Sequence, residues 1–442
     1  MPMDVGLLPG ARLFGTQGGG ESAMRPSRLG RMRVFVASLP ADMSDDTTER
    51  AKAHFFAGNA HFEAGRLDAA RADYEAAQAL VPGRPSVLAN LGVTLCRLGQ
   101  WDAAIERLDA ALLADPTHRD AWAALGLSRE ALNQWAGAAH ALRQAIALGA
   151  LLPSLYLALS HCELRQERWR EALQALDDAL EIDPREPEVW SQRGHLLRES
   201  GQLKEAARSY EQALQHGAEP ALHRHYLASV QDLRDPPPPP PVYAGALFDQ
   251  YADDFQDHLL AQLRYAAPDT LLKPLLAEGR RIGLVLDLGC GTGLCGRLIA
   301  PIADAVEGVD ASHAMVERAR ASGAYRGVVH GDLLGFLRAS NVPADLIVAA
   351  DVFIYVGPLD AVFAAVAARL ASGGRFAFSV ERADPGRDLQ LRPSLRYAHS
   401  REQIERLAAA HGFAVQAIEA GPIREEQGRP VMGWYAWLRR AA

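Results

Sequence analysis

The residues best placed to do chemistry are Leu286-Asp287-Leu288-Gly289-Cys290-Gly291-Thr292-Gly293. Their spacing is G-x-G-x-G, with an acid two residues before the first glycine. The apolar run Ile282 to Leu286 predicts a buried strand ahead of them, and Leu294 to Ala300 predicts a helix start. A strand, a tight glycine turn and a helix N-terminus let backbone approach a ligand closely. The pattern differs from the G-x-G-x-x-G turn that seats a pyrophosphate on a helix end.

Downstream, acids recur at predicted strand ends. Val306 to Val309 ends in Asp310, and Val328-Val329-His330-Gly331 leads to Asp332 and Leu333. Asp345-Leu346-Ile347-Val348-Ala349-Ala350 ends in Asp351. Open α/β sheets bind ligands at the carboxyl ends of their strands, where an acid such as Asp310 can accept both hydroxyls of a ribose. Each acid also has a plainer use. Asp287 could brace the turn, Asp310 could cap a helix before Ala311-Ser312, and Asp332 could cap one starting near Leu333. Those uses leave unexplained why the acids stand at successive strand ends.

The glycine run resembles motif I of class I S-adenosylmethionine (SAM) methyltransferases. The resemblance implies SAM as cofactor, with Asp287, Gly289, Gly291, Gly293, Asp310, Asp332, Leu333 and Asp351 around it. It places Asp332 on the adenine amine, Leu333 against the ring and Asp351 where the transferred methyl would lie. No Asn/Asp-Pro-Pro-Tyr run follows the fourth strand, where Ala350-Asp351-Val352-Phe353 stands instead. That removes support for DNA or glutamine amide acceptors. Asp351, Tyr355, Glu381 and His399 are the polar candidates near the carboxyl edge. His399 could act as a base, since histidine titrates near neutrality, or could order its loop.

The half before this sheet is repetitive. Ala70, Ala104, Ala138, Ala172 and Ala206 fall 34 residues apart, as do Ala77, Ala111, Ala145, Ala179 and Ala213. Gly58, Gly92, Gly126, Ser160 and Gly194 hold a third register, and Tyr74, Leu108, Leu142, Leu176 and Tyr210 a fourth. Small residues where helices cross, large apolar ones beside them and prolines at Pro82, Pro116 and Pro184 predict antiparallel helix pairs. The segment 51–220 resembles five tetratricopeptide (TPR) repeats, with a capping helix over Ala221 to Leu233. Asn133 and Glu167 replace the usual turn glycine, which predicts altered turns in repeats three and four. A TPR stack implies a groove for a protein or peptide partner. By register Asn59, Arg97, Arg165, His195 and Arg198 should face it, unless they are merely solvated there.

Six prolines, Pro236 to Pro241, predict a semi-rigid spacer. The expected organisation is therefore a disordered extension over 1–42, a TPR solenoid over 43–235, the linker 236–241 and an α/β domain over 242–442 with a seven-stranded Rossmann-like sheet. Met43 is an alternative start to Met1. After the spacer, helical spacing from Leu247 to Tyr265 predicts a helix over the cofactor, with Tyr251 or Tyr265 near the site or packed on the sheet.

The net charge of −8 argues against nucleic acid or an anionic membrane as the main partner. No apolar stretch approaches a membrane span. Cys96, Cys162, Cys290 and Cys295 are scattered, which predicts a reducing cytoplasm and no metal site. Taken whole, LFDQYADDF, LDLGCGTGLCG, AADVFIYVG, FAFSVE and RYAHS resemble a bacterial family of predicted methyltransferases fused to TPR repeats, over about 43–442. The resemblance implies methyl transfer from SAM to an oxygen or nitrogen acceptor, with the repeats recruiting a protein. A small-metabolite acceptor with repeats used for assembly, and a binding protein that has lost catalysis, are the alternatives.

Overall fold

A computed structural model of the protein describes residues 46–241, 243–251, 265–426 and 428–441, without the side chains of Ala246, Phe248, Gln250 and Tyr251. The 1–42 extension, the start at Met1 or Met43 and residues 252–264 of the expected covering helix lie outside them. The chain divides into two compact units. One runs to Leu197 and includes Gln215–Ala218; the other joins Arg198–Leu214 to Glu219–Ala442. The division thus comes before the proline run.

In the first unit the helices pair as α1 (Asp46–Glu63) with α2 (Leu67–Leu80), α3 (Pro85–Arg97) with α4 (Trp101–Ala114), α5 (Arg119–Ala131) with α6 (Trp135–Ala147) and α7 (Pro153–Leu164) with α8 (Trp169–Ile182). The registers explain the pairing. A Cβ at Gly58 would stand 2.7 Å from the Tyr74 ring, and one at Gly92 or Gly126 2.6 Å from Leu108 or Leu142. Glycine lets the helices cross at that point, and the alanines of the other registers are buried beside it.

The turns expected to differ do not. Asn133 (φ 59°) and Glu167 (φ 60°) adopt the left-handed conformation of Gly65 (φ 73°) and Gly99 (φ 75°). The backbone bonds are the same too, Asn133 N to Glu130 O and Gln134 N to Arg129 O repeating Gly99 N to Cys96 O and Gln100 N to Leu95 O. Helix packing fixes the turn, and the residue complies.

The groove candidates separate by burial. Asn59 is buried and accepts from the Tyr74 hydroxyl at 2.7 Å and the Asn90 amide at 3.0 Å. His195 and Arg198 are buried as well, so none of these three lines an open surface. Arg97 and Arg165 are half-buried, their guanidiniums over the rings of Phe62 and Trp135.

In the second unit α9 (Pro187–Glu199) contributes its last two residues, followed by α10 (Leu203–Gln215), α11 (Pro220–Val230), α12 (Tyr243–Tyr251) and α13 (Ala267–Ala277). The sheet comprises β1 (Ile282–Leu288), β2 (Ala303–Asp310), β3 (Gly327–His330), β4 (Ala344–Ala349), β5 (Leu370–Arg382), β6 (Leu389–Leu391), β7 (Tyr397–His399), β8 (Phe413–Glu426) and β9 (Arg429–Arg440). Its order is β3-β2-β1-β4-β5-β7-β6, with β9 pairing both β5 and β8. Strands β1 to β5 are parallel neighbours, and β8 and β9 close antiparallel.

Nine strands replace the seven expected. The two additions, β6 and β7, are three residues each and form a hairpin too short to show a period of two. It forms because β5 is long: Arg375 to Glu381 pairs with β9, while Glu381 and Arg382 also pair with β7. Between strands run α14 (Leu294–Ile299), α15 (His313–Ala321), α16 (Leu333–Arg338), α17 (Asp360–Arg369) and α18 (Arg401–Ala410). One sheet face packs Leu286, Ile347, Phe376 and Phe378 against α17 and α18, the other Val285, Leu346 and Val348 against α13 and α14. Helix α11 packs Ala228 against Leu389, Leu391 and Tyr397, and the Tyr397 hydroxyl donates to Pro237 O.

Candidate functional site

The glycine turn leaves β1 between β2 and β4. Cys290 N donates to Val309 O and Gly293 N to Cys290 O, folding the loop back over the end of β2. Gly289, Gly291 and Gly293 all have positive φ, at 63°, 53° and 89°. A Cβ at Gly289 would strike Val352, 2.6 Å away, whereas one at Gly291 would meet nothing within 4 Å. The first glycine is needed for packing; the second faces open space.

The acids occupy distinct positions around this turn. Asp287 is buried, and its Oδ2 accepts from the Tyr325 hydroxyl at 2.6 Å. That hydroxyl accepts from Gly296 N in α14 at 3.1 Å, so Asp287 and Tyr325 brace the helix start. Burial pushes the Asp287 carboxyl up to about 7. Asp310 accepts from Gly291 N at 2.8 Å and Ser312 N at 2.9 Å, tying the glycine loop to the end of β2. Asp332 is exposed and caps α16 by accepting from Gly335 N at 2.7 Å, with Leu333 half-buried beside it. Over the end of β2 lies α12. Asp249 Oδ1 accepts from the Ser312 hydroxyl at 2.6 Å, and Gly245 passes so close that a Cβ would stand 2.7 Å from Ala311 O.

These residues fit a nucleoside-bearing cofactor. The Gly291 face is open, and the Thr292 hydroxyl is buried with no hydrogen-bond partner among the described residues. Each Asp310 oxygen accepts one backbone N–H and retains a second lone pair.

Asp351 stands apart from this loop. It has φ 59°, unusual for a non-glycine residue, and its amide donates to the Ser379 hydroxyl at 2.8 Å. Arg424 Nη1 donates to both carboxylate oxygens, at 3.0 and 2.9 Å. The same guanidinium donates to Glu381 and, through Nε at 2.8 Å, to Glu426, which also pairs with Arg396. Three acids and two arginines from four chain segments thus share one cluster. Burial pushes Glu426 up, but Arg396 and Arg424 outweigh it and hold the carboxyl at about 2.

Of the other polar candidates, Tyr355 ends a short 3-10 turn, Phe353–Tyr355, and is half-buried. His399 is fully buried on β7 with Nδ1 3.0 Å from Gln403 Oε1, and burial pushes it down to about 4. It is neutral at pH 7 and sealed from solvent. The Tyr265 hydroxyl donates to Ala350 O at 3.2 Å, bracing the end of β4; the Tyr251 side chain lies outside the described residues. Sequence reasoning missed Tyr325, Arg396, Arg424 and Glu426. Only Arg396 lay in a quoted motif, RYAHS.

Residues 259–418 match the family model described as a methyltransferase domain, and residues 27–235 match that of the C-terminal, TPR-type domain of cilia and flagella-associated protein 70. No curated protein matches the chain. Among solved structures, MamA is 24% identical and matches over 38% of this chain and 92% of its own, with a TM-score of 0.36. PilF of Pseudomonas aeruginosa is 20% identical over 42% of this chain and 86% of its own, with a TM-score of 0.37. Magnesium protoporphyrin IX methyltransferase from Synechocystis PCC 6803, solved with bound SAH, is 20% identical over 39% of this chain and 81% of its own, with a TM-score of 0.31. The chain therefore joins a TPR-type helical repeat domain to a class I methyltransferase domain.

Proposed function

We propose that the protein transfers a methyl group from SAM to an oxygen or nitrogen acceptor, and that its repeats recruit the protein carrying that acceptor. The observation that carries the first part is the open glycine turn tied to Asp310 within a matched methyltransferase domain. When bound, SAM supplies a methyl on a sulfonium, so the chemistry asks mainly for alignment and exclusion of water. Gly289, Gly291 and Gly293 let backbone approach the cofactor, and Asp310 accepts from the ribose. Asp332 and Leu333 are assigned to the adenine. Asp287 acts through Tyr325 on the loop, as a positioning residue. Asp351 and Tyr355 stand on the segment after β4 and are assigned to the acceptor side. His399 is assigned no proton transfer, because its buried imidazole is neutral and hydrogen-bonded to Gln403.

Isothermal titration with SAM and S-adenosylhomocysteine tests the cofactor. Asp310→Ala should weaken binding about 10- to 100-fold, the loss of one charge-assisted pair, and Gly291→Val should abolish it. No heat from folded wild-type protein would refute the reading. Recruitment is tested by labelling proteins captured on the isolated repeats with tritiated SAM. Charge reversal at Arg97 and Arg165 should lower labelling without changing the SAM titration. Equal labelling by the reversed variant would favour the small-metabolite acceptor.

A further inference from the structure

Arg198, the penultimate residue of α9, lies in the compact unit that holds the sheet. It is 5% exposed, and its Nε and Nη1 have no hydrogen-bond partner among the described residues. Its ion pair with Glu199 Oε1, 3.6 Å from Nη2, is too long for a hydrogen bond and leaves Nε and Nη1 unmet. His225 on α11 is 2% exposed, and both its ring nitrogens are likewise without partners. Two donor-bearing side chains, near enough that the charge of Arg198 acts on His225, are therefore buried with nitrogens unsatisfied. Native proteins rarely leave such groups so, because burying a polar nitrogen without a hydrogen bond is costly.

The surroundings say where this pair stands. The His225 ring lies 5.0 Å from Tyr243 at the start of α12 and 6.0 Å from Tyr397. Tyr397 in turn abuts Gly357, two residues past Tyr355, where a Cβ would stand 3.1 Å from its ring. Through Tyr397, His225 thus connects to the segment after β4, on the acceptor side of the proposed reaction. We propose that Arg198 and His225 bind a carboxylate of the methyl acceptor at this edge of the sheet. The word acceptor rests on the methyl-transfer reading; the anion site does not.

A carboxylate fits better than a phosphate. Burial, with help from Arg198, pushes His225 down to about 4, and burial pushes the phenols of Tyr210, Tyr226 and Tyr243 up. All four are neutral at pH 7, so Arg198 supplies one full positive charge. Burial also pushes up the carboxyl of Glu199, the ion-pair partner of Arg198. One cation and a neutral imidazole N–H match a monoanion.

Thermal melting of the full chain in sodium acetate, against sodium chloride of equal ionic strength, tests the site. Acetate should raise the melting temperature of wild type by several degrees and leave Arg198→Met unmoved. His225→Phe should need about tenfold more acetate for the same rise. An acetate shift absent from wild type, one that survives in Arg198→Met, or a rise with phosphate alone would overturn the proposal. An acetate shift in a protein that gives no heat with SAM would refute methyl transfer and leave the anion site standing.

Discussion

The glycine turn after β1 and the acid–arginine cluster after β4 sit on the same sheet and solve the same problem differently. Both hold carboxylates near the carboxyl edge. At the turn, Asp310 is satisfied by backbone N–H groups of Gly291 and Ser312, so its charge remains available to a ligand. In the cluster, Asp351, Glu381 and Glu426 are satisfied by Arg424 and Arg396, so their charge is largely spoken for. The first arrangement is built to receive, the second to hold four segments in place.

The largest effect should come from breaking the second. Arg424→Met leaves the three acids without the arginine that joins them, and unpairing a buried ion costs about 3–5 kcal/mol. Urea unfolding should show a loss of that size. Asp310→Ala should weaken SAM binding with a smaller loss of stability. If both variants lost stability equally, the contrast between receiving and holding would be wrong.

Acid sharpens the contrast further, because His399 lies on β7, next to Arg382 of β5. Its folded pKa of about 4 is below the ordinary 6.5, so below pH 6.5 the unfolded chain takes up a proton that the folded one refuses. Stability is full above pH 6.5 and falls as pH drops towards 4. At pH 4.5 the loss through this residue is about 2–3 kcal/mol. His399→Asn should flatten that part of the pH dependence of urea unfolding. An unchanged profile would mean that His399 titrates normally.

A third probe removes a support of the cluster alone. Arg396 adjoins the β6–β7 hairpin, which leans on Ala228 of α11 and, through Tyr397, on Pro237. A 219–442 fragment should therefore be more stable than 242–442 by about 2 kcal/mol, the scale of re-exposing one large apolar side chain. Limited proteolysis and melting of both fragments would check this. Equal stability would restore the proline run as the boundary and support independent folding of 43–235 and 242–442.

What the sequence revealed follows the same line. The turn is contiguous, so Asp287, the three glycines and Asp310 could be read from spacing alone. Asp287's brace was only one of two readings, because Tyr325 reaches it from 38 residues away. The cluster was illegible: Arg424 meets Asp351 across 73 residues, through the register of β8, β9 and β5. Periodicity located those strands but could not say which side chains would face each other. It also missed β6 and β7, whose three residues cannot display alternation. In the repeats, Asn59 and Arg198 had the right register for a groove, yet register says nothing about how deeply a side chain is covered.

The smallest effect concerns positions where local sequence and assembled structure disagree openly. Asn133 and Glu167 occupy turns that Gly65 and Gly99 occupy elsewhere, with the same left-handed φ and the same pair of backbone bonds. An L-residue there is strained by about 1–2 kcal/mol, less for asparagine, while glycine adds back some unfolded-state entropy. Both side chains are exposed, so their replacement removes no core packing. Glu167→Gly should therefore stabilise the protein by about 1 kcal/mol and Asn133→Gly by about 0.5 kcal/mol or less. Glu167→Ala is the control, since alanine shares the strain and should gain nothing. If alanine stabilised as much as glycine, the benefit would come from removing the charge of Glu167. The turn would then be set by its own residues rather than by the helices packed on either side of it.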